Sequence, residues 1–422
     1  MRRSLSILAS AFALAVVVLA AGVAQARPGE QVTFEAPASL KDPATREVTL
    51  DKLESLGVRE IRLLVSWSAV APSPSSAVRP AGDLTNPSAY GWGPYPAIVA
   101  AARAHGISTE VTIAGPAPRW GTQGARDQIT NPRPSDYQHF VTAIARRFKG
   151  QVALWTVWNE PNFRTFLMPQ LVNGKPASPA TYRGLFLAAV AGMKAAGQPG
   201  AKLLIGETAP RSGAGGVAPL AFLRGLLCLD GSYHPIKARH CAPLRAYGWA
   251  HHPYAPAAGP FFTPAGRDDV TIGSLSRLTS ALSKAVKAHA LTTSRLFLTE
   301  FGVQSYPDKL AGVPLDKQSD YRFGKRKPAY DSFRLPLVAT PTGRTVSLWG
   351  LVRPTRGATS VTVLRADHNS STFKPLATAK TKPDGSWTLN TTNATGRRWR
   401  VSWKAPNGTT YTGPPTKAYK RR

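Results

Sequence analysis

The sequence predicts an α/β fold: a (β/α)8-type TIM barrel that is incomplete at its eighth strand, followed by a small all-β sandwich. Between residues 31 and 302, short apolar runs alternate with helix-patterned stretches, an order typical of a parallel sheet covered by helices. After residue 337 the helical periodicity disappears and short alternating runs take over. The predicted domains are therefore the barrel at 27–338 and the sandwich at 339–422. An open doubly wound sheet is the alternative arrangement for the first of them.

Seven β-rich apolar runs in the first region are typical of buried parallel strands. They cover residues 32–34, 61–67, 108–113, 152–158, 202–206, 247–250 and 295–299. The stretches between them carry helix signals. For example, Asp42 and Pro43 precede leucines at helical spacing, and Gly57 follows them, which matches the residue preferences at helix ends.

An eighth strand has little room in this sequence. The second to seventh runs begin roughly 40 to 50 residues apart, and an eighth strand with its helix needs a similar length. After residue 302 only a loop, a short helix-like start at 315–321 and a basic stretch precede the second region. We expect residues 318–326 to cross the gap and residues 327–333 to form the closing helix.

The second region has the pattern of a small immunoglobulin-like β-sandwich. Alternating runs at 345–349, 360–364, 386–389 and 399–403 are accompanied by the turn signals Asp-Gly and Asn-Gly. Four tryptophans lie in these runs, at Trp349, Trp387, Trp399 and Trp403. They form either the core of the sandwich or a carbohydrate-binding face.

Residues 1–26 have the pattern of a signal peptide. Arg2 and Arg3 precede an apolar run that ends in Ala-Gln-Ala, so cleavage is expected before Arg27. The predicted location is secreted, either extracellular or associated with the cell wall, with no membrane span after cleavage. A retained transmembrane anchor is the alternative.

The only two cysteines, Cys228 and Cys241, lie close together in the sequence. In an exported protein such a pair is expected to form a disulfide that closes the intervening loop. Neither cysteine belongs to a C-x-x-C pair, so the sequence predicts no zinc site. It predicts no other metal and no cofactor.

The net charge of +30 is large, and residues 340–422 alone carry 15 Lys or Arg against 2 Asp. Such a basic surface is expected to bind anionic polymers, for example those of a cell wall. A generically basic secreted protein is the alternative. No nucleic-acid-binding motif accompanies the charge, so no specific nucleic-acid partner is predicted.

Two glutamates each follow a predicted strand. Glu160 follows the fourth run in the sequence Trp-Asn-Glu-Pro, and Glu300 follows the seventh in Thr-Glu-Phe-Gly. The carboxyl ends of barrel strands meet at one face. Paired carboxylates are what glycosidic-bond cleavage requires, because one protonates the leaving oxygen while the other attacks the anomeric carbon or activates water.

On these motifs the chain resembles the retaining β-glycosidases of clan A, which include family 5 cellulase-like and family 39-like enzymes. The resemblance covers residues 31–335. It implies that Glu160 is the acid/base and Glu300 the nucleophile, that Asn159 hydrogen-bonds the sugar 2-hydroxyl, and that Tyr254 steadies the nucleophile. Arg62 resembles the clan's arginine near the nucleophile, and an ion pair at the edge of the core is its alternative.

Three further residues near strand ends are candidate substrate-binding residues. His252 lies in His-Pro-Tyr, Glu207 follows the fifth run, and Trp120 offers a ring for stacking on a sugar. The alternatives are ordinary hydrogen bonding for His252, a structural role for Glu207 and core packing for Trp120.

The sequence therefore predicts a carbohydrate substrate and leaves two functions open. The first is a secreted hydrolase that cleaves β-glycosidic bonds of a polysaccharide or oligosaccharide by a retaining double displacement. The second is a non-catalytic wall- or carbohydrate-binding relative that lost activity with its eighth strand. Both glutamates favour the first function, whereas the missing strand and the basic tail favour the second.

Overall fold

A seven-stranded parallel sheet forms the larger part of the fold in a computed structural model, which describes residues 32–35, 37–213, 215–256, 261–301, 328–354 and 357–418. The described strands up to residue 298 are β1 (Thr33–Phe34), β2 (Glu60–Ser66), β3 (Ser108–Ala114), β4 (Leu154–Val157), β5 (Leu171–Val172), β6 (Lys175–Pro176), β7 (Leu203–Thr208), β8 (Gly248–His251) and β9 (Leu296–Leu298). The sheet order is β1-β2-β3-β4-β7-β8-β9, and β5 pairs only with β6. Each of the seven predicted runs contains a strand of this sheet.

Helices connect the parallel strands. They are α1 (Pro37–Lys41), α2 (Pro43–Ser55), α3 (Trp67–Val70), α4 (Tyr95–Ala104), α5 (Pro134–Arg147), α6 (Ser178–Ala195), α7 (Pro219–Leu226) and α8 (Ser276–Lys287), and α9 (Pro328–Arg334) follows the last of these strands. The start of α2 follows the sequence signals, because the Asp42 side chain accepts from the backbone N–H of Ala44 at 3.0 Å. This contact satisfies a donor that has no partner within the helix.

The parallel sheet curls until its two edges approach each other at the carboxyl ends. Glu35, directly after β1, and Glu300, two residues after β9, both accept from Nη1 of Arg62, at 2.6 and 2.8 Å. Within the described ranges, β1 and β9 do not pair with each other. The sheet is therefore an incomplete barrel, as the sequence predicts. The segment 318–326, expected to cross the gap, lies outside the described residues, and α9 corresponds to the predicted closing helix.

Large aromatic side chains fill the space between the sheet and its helices. Trp67 lies directly after β2 and is fully buried. Its ring stacks on Phe140 of α5, with the ring centroids 5.7 Å apart and the planes at 5°. At the contact between α5 and α6, a Cβ on Gly192 would lie 2.8 Å from Cβ of Val141. Glycine at this position therefore lets the two helices approach closely.

The second region is an antiparallel β-sandwich, as predicted. Its strands are β10 (Leu337–Thr342), β11 (Thr345–Leu351), β12 (Ser360–Ala366), β13 (Lys374–Lys380), β14 (Ser386–Thr392), β15 (Arg398–Lys404), β16 (Thr410–Thr412) and β17 (Thr416–Lys417). One sheet has the order β10-β11-β14 and the other β13-β12-β15-β16, with β17 on β15. Trp387, Trp399 and Trp403 are buried between them. These three rings form the core of the sandwich rather than a sugar-binding face.

A disulfide joins Cys228 to Cys241, with the Cα atoms 6.2 Å apart. This confirms the pairing predicted from the sequence. It closes the loop between α7 and β8. No helix in the described part of the chain is both long and apolar enough to cross a membrane.

Candidate active site

Glu160 and Glu300 lie together at the carboxyl end of the parallel sheet. Glu160 comes three residues after β4, and Glu300 two residues after β9. Three atoms lie within 4.8 Å of one another, namely one carboxylate oxygen of each glutamate and one ring nitrogen of His252. The glutamate side chains are 14% and 19% exposed. The structure thus brings the two predicted carboxylates to one partly open position.

The backbone that carries Glu160 has an unusual conformation. Trp158 has a φ of 65° and Glu160 a φ of 41°, in the left-handed region that costs energy for residues with a side chain and recurs at functional sites. The buried indole of Trp158 donates to the carbonyl of Phe166 at 3.1 Å. A Cβ on Gly115 would lie 2.4 Å from this ring, so glycine leaves the space that the indole occupies. The anchored indole fixes the turn into Glu160.

Asn162 ties the Glu160 loop to the loop after β7. Its side-chain NH2 donates to the carbonyls of Ala209 and Val217, at 3.2 and 2.9 Å, and its side-chain oxygen accepts from the N–H of Ala209 at 2.7 Å. Asn162 is not among the site residues that the sequence predicts. Its partners lie 47 and 55 residues away, so no local pattern identifies this role.

Arg62 on β2 is fully buried among carboxylates. Its closest partners are Glu35 at 2.6 Å, Glu300 at 2.8 Å, Glu207 at 3.0 Å, Asn159 at 3.4 Å and Glu110 at 3.9 Å. Burial acts to lower the pKa of Arg62, but the charges of the glutamates outweigh it and raise that pKa above its ordinary value. Arg62 is therefore a charged group in direct contact with Glu300, where the resemblance places it, and its Nη2 also donates to Asn159.

Glu35 is a further site residue, which the sequence motifs do not predict. Its side chain is 34% exposed. It lines a cleft of about 280 Å³ whose other lining residues are Thr33, Phe34, Arg62, Tyr254, Thr299, Glu300 and Phe301. The signal that could have found it is the one that identified Glu160 and Glu300, a carboxylate directly after an apolar run.

Tyr254 contacts Glu300 as the resemblance implies. Its hydroxyl donates to Oε2 of Glu300 at 2.9 Å. Burial, followed by the charge of Glu300, raises the pKa of Tyr254, so the phenol keeps its proton. Glu300 thus receives one hydrogen bond from a neutral hydroxyl and another from the guanidinium of Arg62.

His252 and Glu207 lie behind the cleft rather than on its surface. Both are fully buried, so neither is placed to touch a sugar as predicted. Nδ1 of His252 lies 3.0 Å from Oε1 of Glu160 and 3.5 Å from Oε2 of Glu300. Nε2 lies 3.8 Å from Oε1 of Glu207, which is an ion-pair distance and too long for a hydrogen bond.

The surroundings of His252 and Glu207 stabilise a positive charge on the histidine and a negative charge on the glutamate. Burial acts to lower the pKa of His252, but its contacts with Glu160 and Glu207 raise it to about 10. Burial acts to raise the pKa of Glu207, but the charge of Arg62 and the contact with His252 lower it to about 2. Near neutral pH, His252 is therefore an imidazolium and Glu207 a carboxylate.

Trp120 does not reach the cleft. It is fully buried, and its indole N–H donates to the carbonyl of Pro72 at 2.9 Å. Its ring meets Trp67 edge to face, with the centroids 5.8 Å apart. The ring belongs to the core, which is the alternative that the sequence left open.

Glu160, His252 and Glu300 have the spacing of a possible cation site, since one ligand atom from each lies within 4.8 Å of the others. An imidazolium, however, has two N–H donors and no lone pair for a metal. Nδ1 of His252 is already directed at Glu160, at 3.0 Å. The chemistry of the three groups therefore fits an internal hydrogen-bond network better than a metal ligand set.

We expect that replacing Arg62 with methionine lowers the free energy of unfolding by about 3–5 kcal/mol, because Glu207 stays buried without its closest cation. Arg62→Lys should lose less stability, since lysine keeps the positive charge but lacks the planar set of N–H donors of the guanidinium. The exposed Arg103→Met on α4 is the control, with a change within about 0.5 kcal/mol. Chemical denaturation measures all three variants. Equal stability of Arg62→Met and the wild type would contradict the buried network.

Comparison with known proteins gives structural neighbours only. Neither a protein-family model nor a curated protein matches the chain. Similar solved structures include a glucosidase from Croceicoccus marinus, at 14% identity over 82% of this chain and 90% of that one, with a TM-score of 0.45. A monomeric β-xylosidase from Caulobacter crescentus CB15 has 14% identity, covers 91% and 95% of the two chains, and has a TM-score of 0.48.

A third similar structure is a GH39 β-xylosidase from Caulobacter crescentus, at 15% identity over 79% of this chain and 81% of that one, with a TM-score of 0.44. All three neighbours are glycosidases, the class that the sequence motifs predict. Each TM-score lies below 0.5. We therefore base the functional proposal on the geometry of the site.

Proposed function

We propose that this protein is a glycoside hydrolase that cleaves β-glycosidic bonds of an oligosaccharide or polysaccharide by a retaining double displacement. The observation that carries the proposal is the position of Glu160 and Glu300, whose nearest carboxylate oxygens lie within 4.8 Å at a partly open site. Retaining enzymes hold their carboxyl groups about 5–5.5 Å apart, whereas inverting enzymes hold them about 6.5–9.5 Å apart to admit a water. The spacing of the nearest oxygens lies closer to the retaining range than to the inverting one.

Glu300 has the surroundings of a nucleophile. Its two oxygens accept from Arg62 and from Tyr254, at 2.8 and 2.9 Å, which fixes the orientation of the carboxylate beside the cleft. In the first step an oxygen of Glu300 bonds to the anomeric carbon as the glycosidic C–O bond breaks. Glu160 gives its proton to the departing oxygen at the same time.

Glu160 then acts in the opposite direction. It takes a proton from a water molecule, and the water oxygen attacks the anomeric carbon and releases Glu300. The N–H of Glu160 donates to the carbonyl of Glu207 at 3.0 Å, and its side chain contacts His252 at 3.0 Å. Both contacts hold the acid/base in one place during the two steps, as positioned catalysis requires.

Glu35 supports a polyhydroxylated ligand for the cleft. It lines the cleft beside Glu300, and its exposed carboxylate can accept hydrogen bonds from sugar hydroxyls. The cleft volume of about 280 Å³ lies just below the small end of the usual range for ligand pockets. A single sugar ring next to the scissile bond suits this space.

A panel of aryl β-glycosides and plant or microbial polysaccharides tests the function. Release of the aryl group or of reducing ends by the wild-type protein supports the hydrolase. Binding of a polysaccharide without turnover would favour the non-catalytic relative, which the unpaired edges of β1 and β9 in the described ranges suggest. A protein that neither binds nor cleaves any member of the panel would contradict both functions.

Export and attachment to anionic polymers are also part of this proposal. The pattern of residues 1–26 and the net charge of +30 support them. Retention of the mature protein on an anionic polysaccharide matrix should fall as the salt concentration rises, because salt screens exposed charges. Retention that is independent of salt would contradict the electrostatic part.

A further inference from the structure

Glu207 lies between two buried cations. Its carboxylate accepts from Nη2 of Arg62 at 3.0 and 3.3 Å, and its Oε1 lies 3.8 Å from Nε2 of His252. All three side chains have no exposed surface. Removing one partner from such a buried pair is costly, because the remaining charge has lost its solvation.

Each of these cations contacts one of the two glutamates assigned to the reaction. Nη1 of Arg62 donates to Glu300 at 2.8 Å, and Nδ1 of His252 lies 3.0 Å from Glu160. The backbone carbonyl of Glu207 also accepts from the N–H of Glu160 at 3.0 Å. The Glu207 carboxylate is thus linked to each of these two glutamate side chains through one intervening cation, although it does not line the cleft.

No neighbouring carboxylate in the described chain is placed to replace Glu207. The groups that face His252 are Glu160, Glu207, Glu300, Glu110, His251 and Tyr254. Burial raises the pKa of Glu110 well above its ordinary value, which disfavours the charged form of that side chain. Burial lowers the pKa of His251 to about 3, so that ring is neutral. Glu160 and Glu300 are partly exposed, and Glu300 lines the cleft.

We infer that Glu207 is a positioning residue of the proposed hydrolase, which holds Arg62 and the imidazolium of His252 and through them fixes Glu300 and Glu160. The inference rests on the proposed function. The negative charge of Glu207 is the essential property, since a glutamine has the same shape but cannot stabilise two cations. The proton that His252 directs at Glu160 therefore depends on a carboxylate behind the ring.

The sign of the charge effect defines a pH window. The pKa of His252 is raised to about 10, so its contribution to stability is complete below its ordinary pKa of about 6.5 and is lost as the pH rises through about 10. The pKa of Glu207 is lowered to about 2. Its contribution is complete above its ordinary pKa of about 4.3 and is lost as the pH falls through about 2. Glu207→Gln should lower the pH at which the contribution of His252 to stability is lost.

The first test is an NMR titration of histidine-labelled protein, with the His252 signal assigned through His252→Gln. In the wild type the ring should stay protonated beyond about pH 9, and in Glu207→Gln it should titrate at least about one unit lower. Glu110→Gln is the matched control, because Glu110 is also buried but forms no ion pair with His252 in the described chain, and it should shift the titration much less than Glu207→Gln does. An unchanged titration in folded Glu207→Gln would overturn the inference.

The second test uses the most rapidly hydrolysed aryl glycoside of the panel. Glu207→Gln should lower kcat about 10–100-fold through misplacement of the glutamates, leave KM within about threefold and shift the pH profile. Glu207→Asp should restore part of kcat and the high pKa of His252, and it serves as the test variant if Glu207→Gln does not fold. A wild type without activity would contradict the proposed function, whereas the NMR titration would still test the Glu207–His252 coupling.

Discussion

Glu300→Gln is expected to abolish hydrolysis of every β-glycoside that the wild-type protein cleaves, with a loss of roughly 10⁴-fold or more in kcat. Glutamine keeps the size of the side chain and an oxygen that accepts from Arg62 and Tyr254. The amide oxygen is nevertheless a poor nucleophile, so the bond to the anomeric carbon does not form. Initial rates of aryl-glycoside cleavage measure the loss.

The control for this variant is Glu54→Gln, a change of a partly exposed glutamate on α2 that should leave the rate unaltered. The melting temperature of Glu300→Gln should stay close to that of the wild type, since Arg62 keeps Glu35 and Glu207 as partners. Retention of more than about a tenth of the wild-type rate would show that Glu300 is not the nucleophile.

Glu160→Ala is expected to lose activity to an extent that depends on the leaving group. A substrate with a poorly departing alcohol needs the proton of Glu160, so its rate should fall about 10²–10⁴-fold. Dinitrophenolate departs without protonation, so the first step with a dinitrophenyl glycoside should be much less affected. Rates for a series of aryl glycosides of rising phenol pKa measure the difference.

Azide provides an independent check on the same variant. It can attack the glycosyl intermediate without a general base and can enter the space left by the Glu160 side chain. We expect azide to accelerate Glu160→Ala and to yield a β-glycosyl azide, while it has little effect on the wild type. A loss of the same size for all leaving groups, with no effect of azide, would assign Glu160 a structural role.

The alternation of apolar runs and helix patterns predicts the parallel sheet well, because each buried strand leaves a continuous apolar signal. The ends of strands are less well predicted. The fourth run was expected to extend to Trp158, yet β4 ends at Val157, where the backbone turns to a φ of 65° at Trp158. In β7 the pairing with β8 shifts between Ile205 and Thr208, where Glu207 has a φ of 45°. Nothing in the side-chain pattern identifies Trp158 or Glu207 as left-handed.

The site was predicted in part. Glu160 and Glu300 were found because each follows an apolar run, and the resemblance placed Tyr254 and Arg62 near the nucleophile. The contacts of Arg62 span 27, 145 and 238 residues of sequence, so a linear pattern cannot show which carboxylates share it. For the same reason the sequence predicts Glu207 in the cleft, whereas its buried carboxylate contacts Arg62 and His252 behind the cleft.

The most direct measurement of the central claim is covalent trapping of the nucleophile. The protein is incubated with activated 2-deoxy-2-fluoro-β-glycosides of several sugars, whose fluorine slows hydrolysis of a glycosyl-enzyme, and is then analysed by intact-mass spectrometry and peptide mapping. The proposed mechanism predicts one fluoroglycosyl group on Glu300 and none on Glu300→Gln. A label on another residue, or turnover of β-glycosides with inversion at the anomeric carbon and no label, would contradict it.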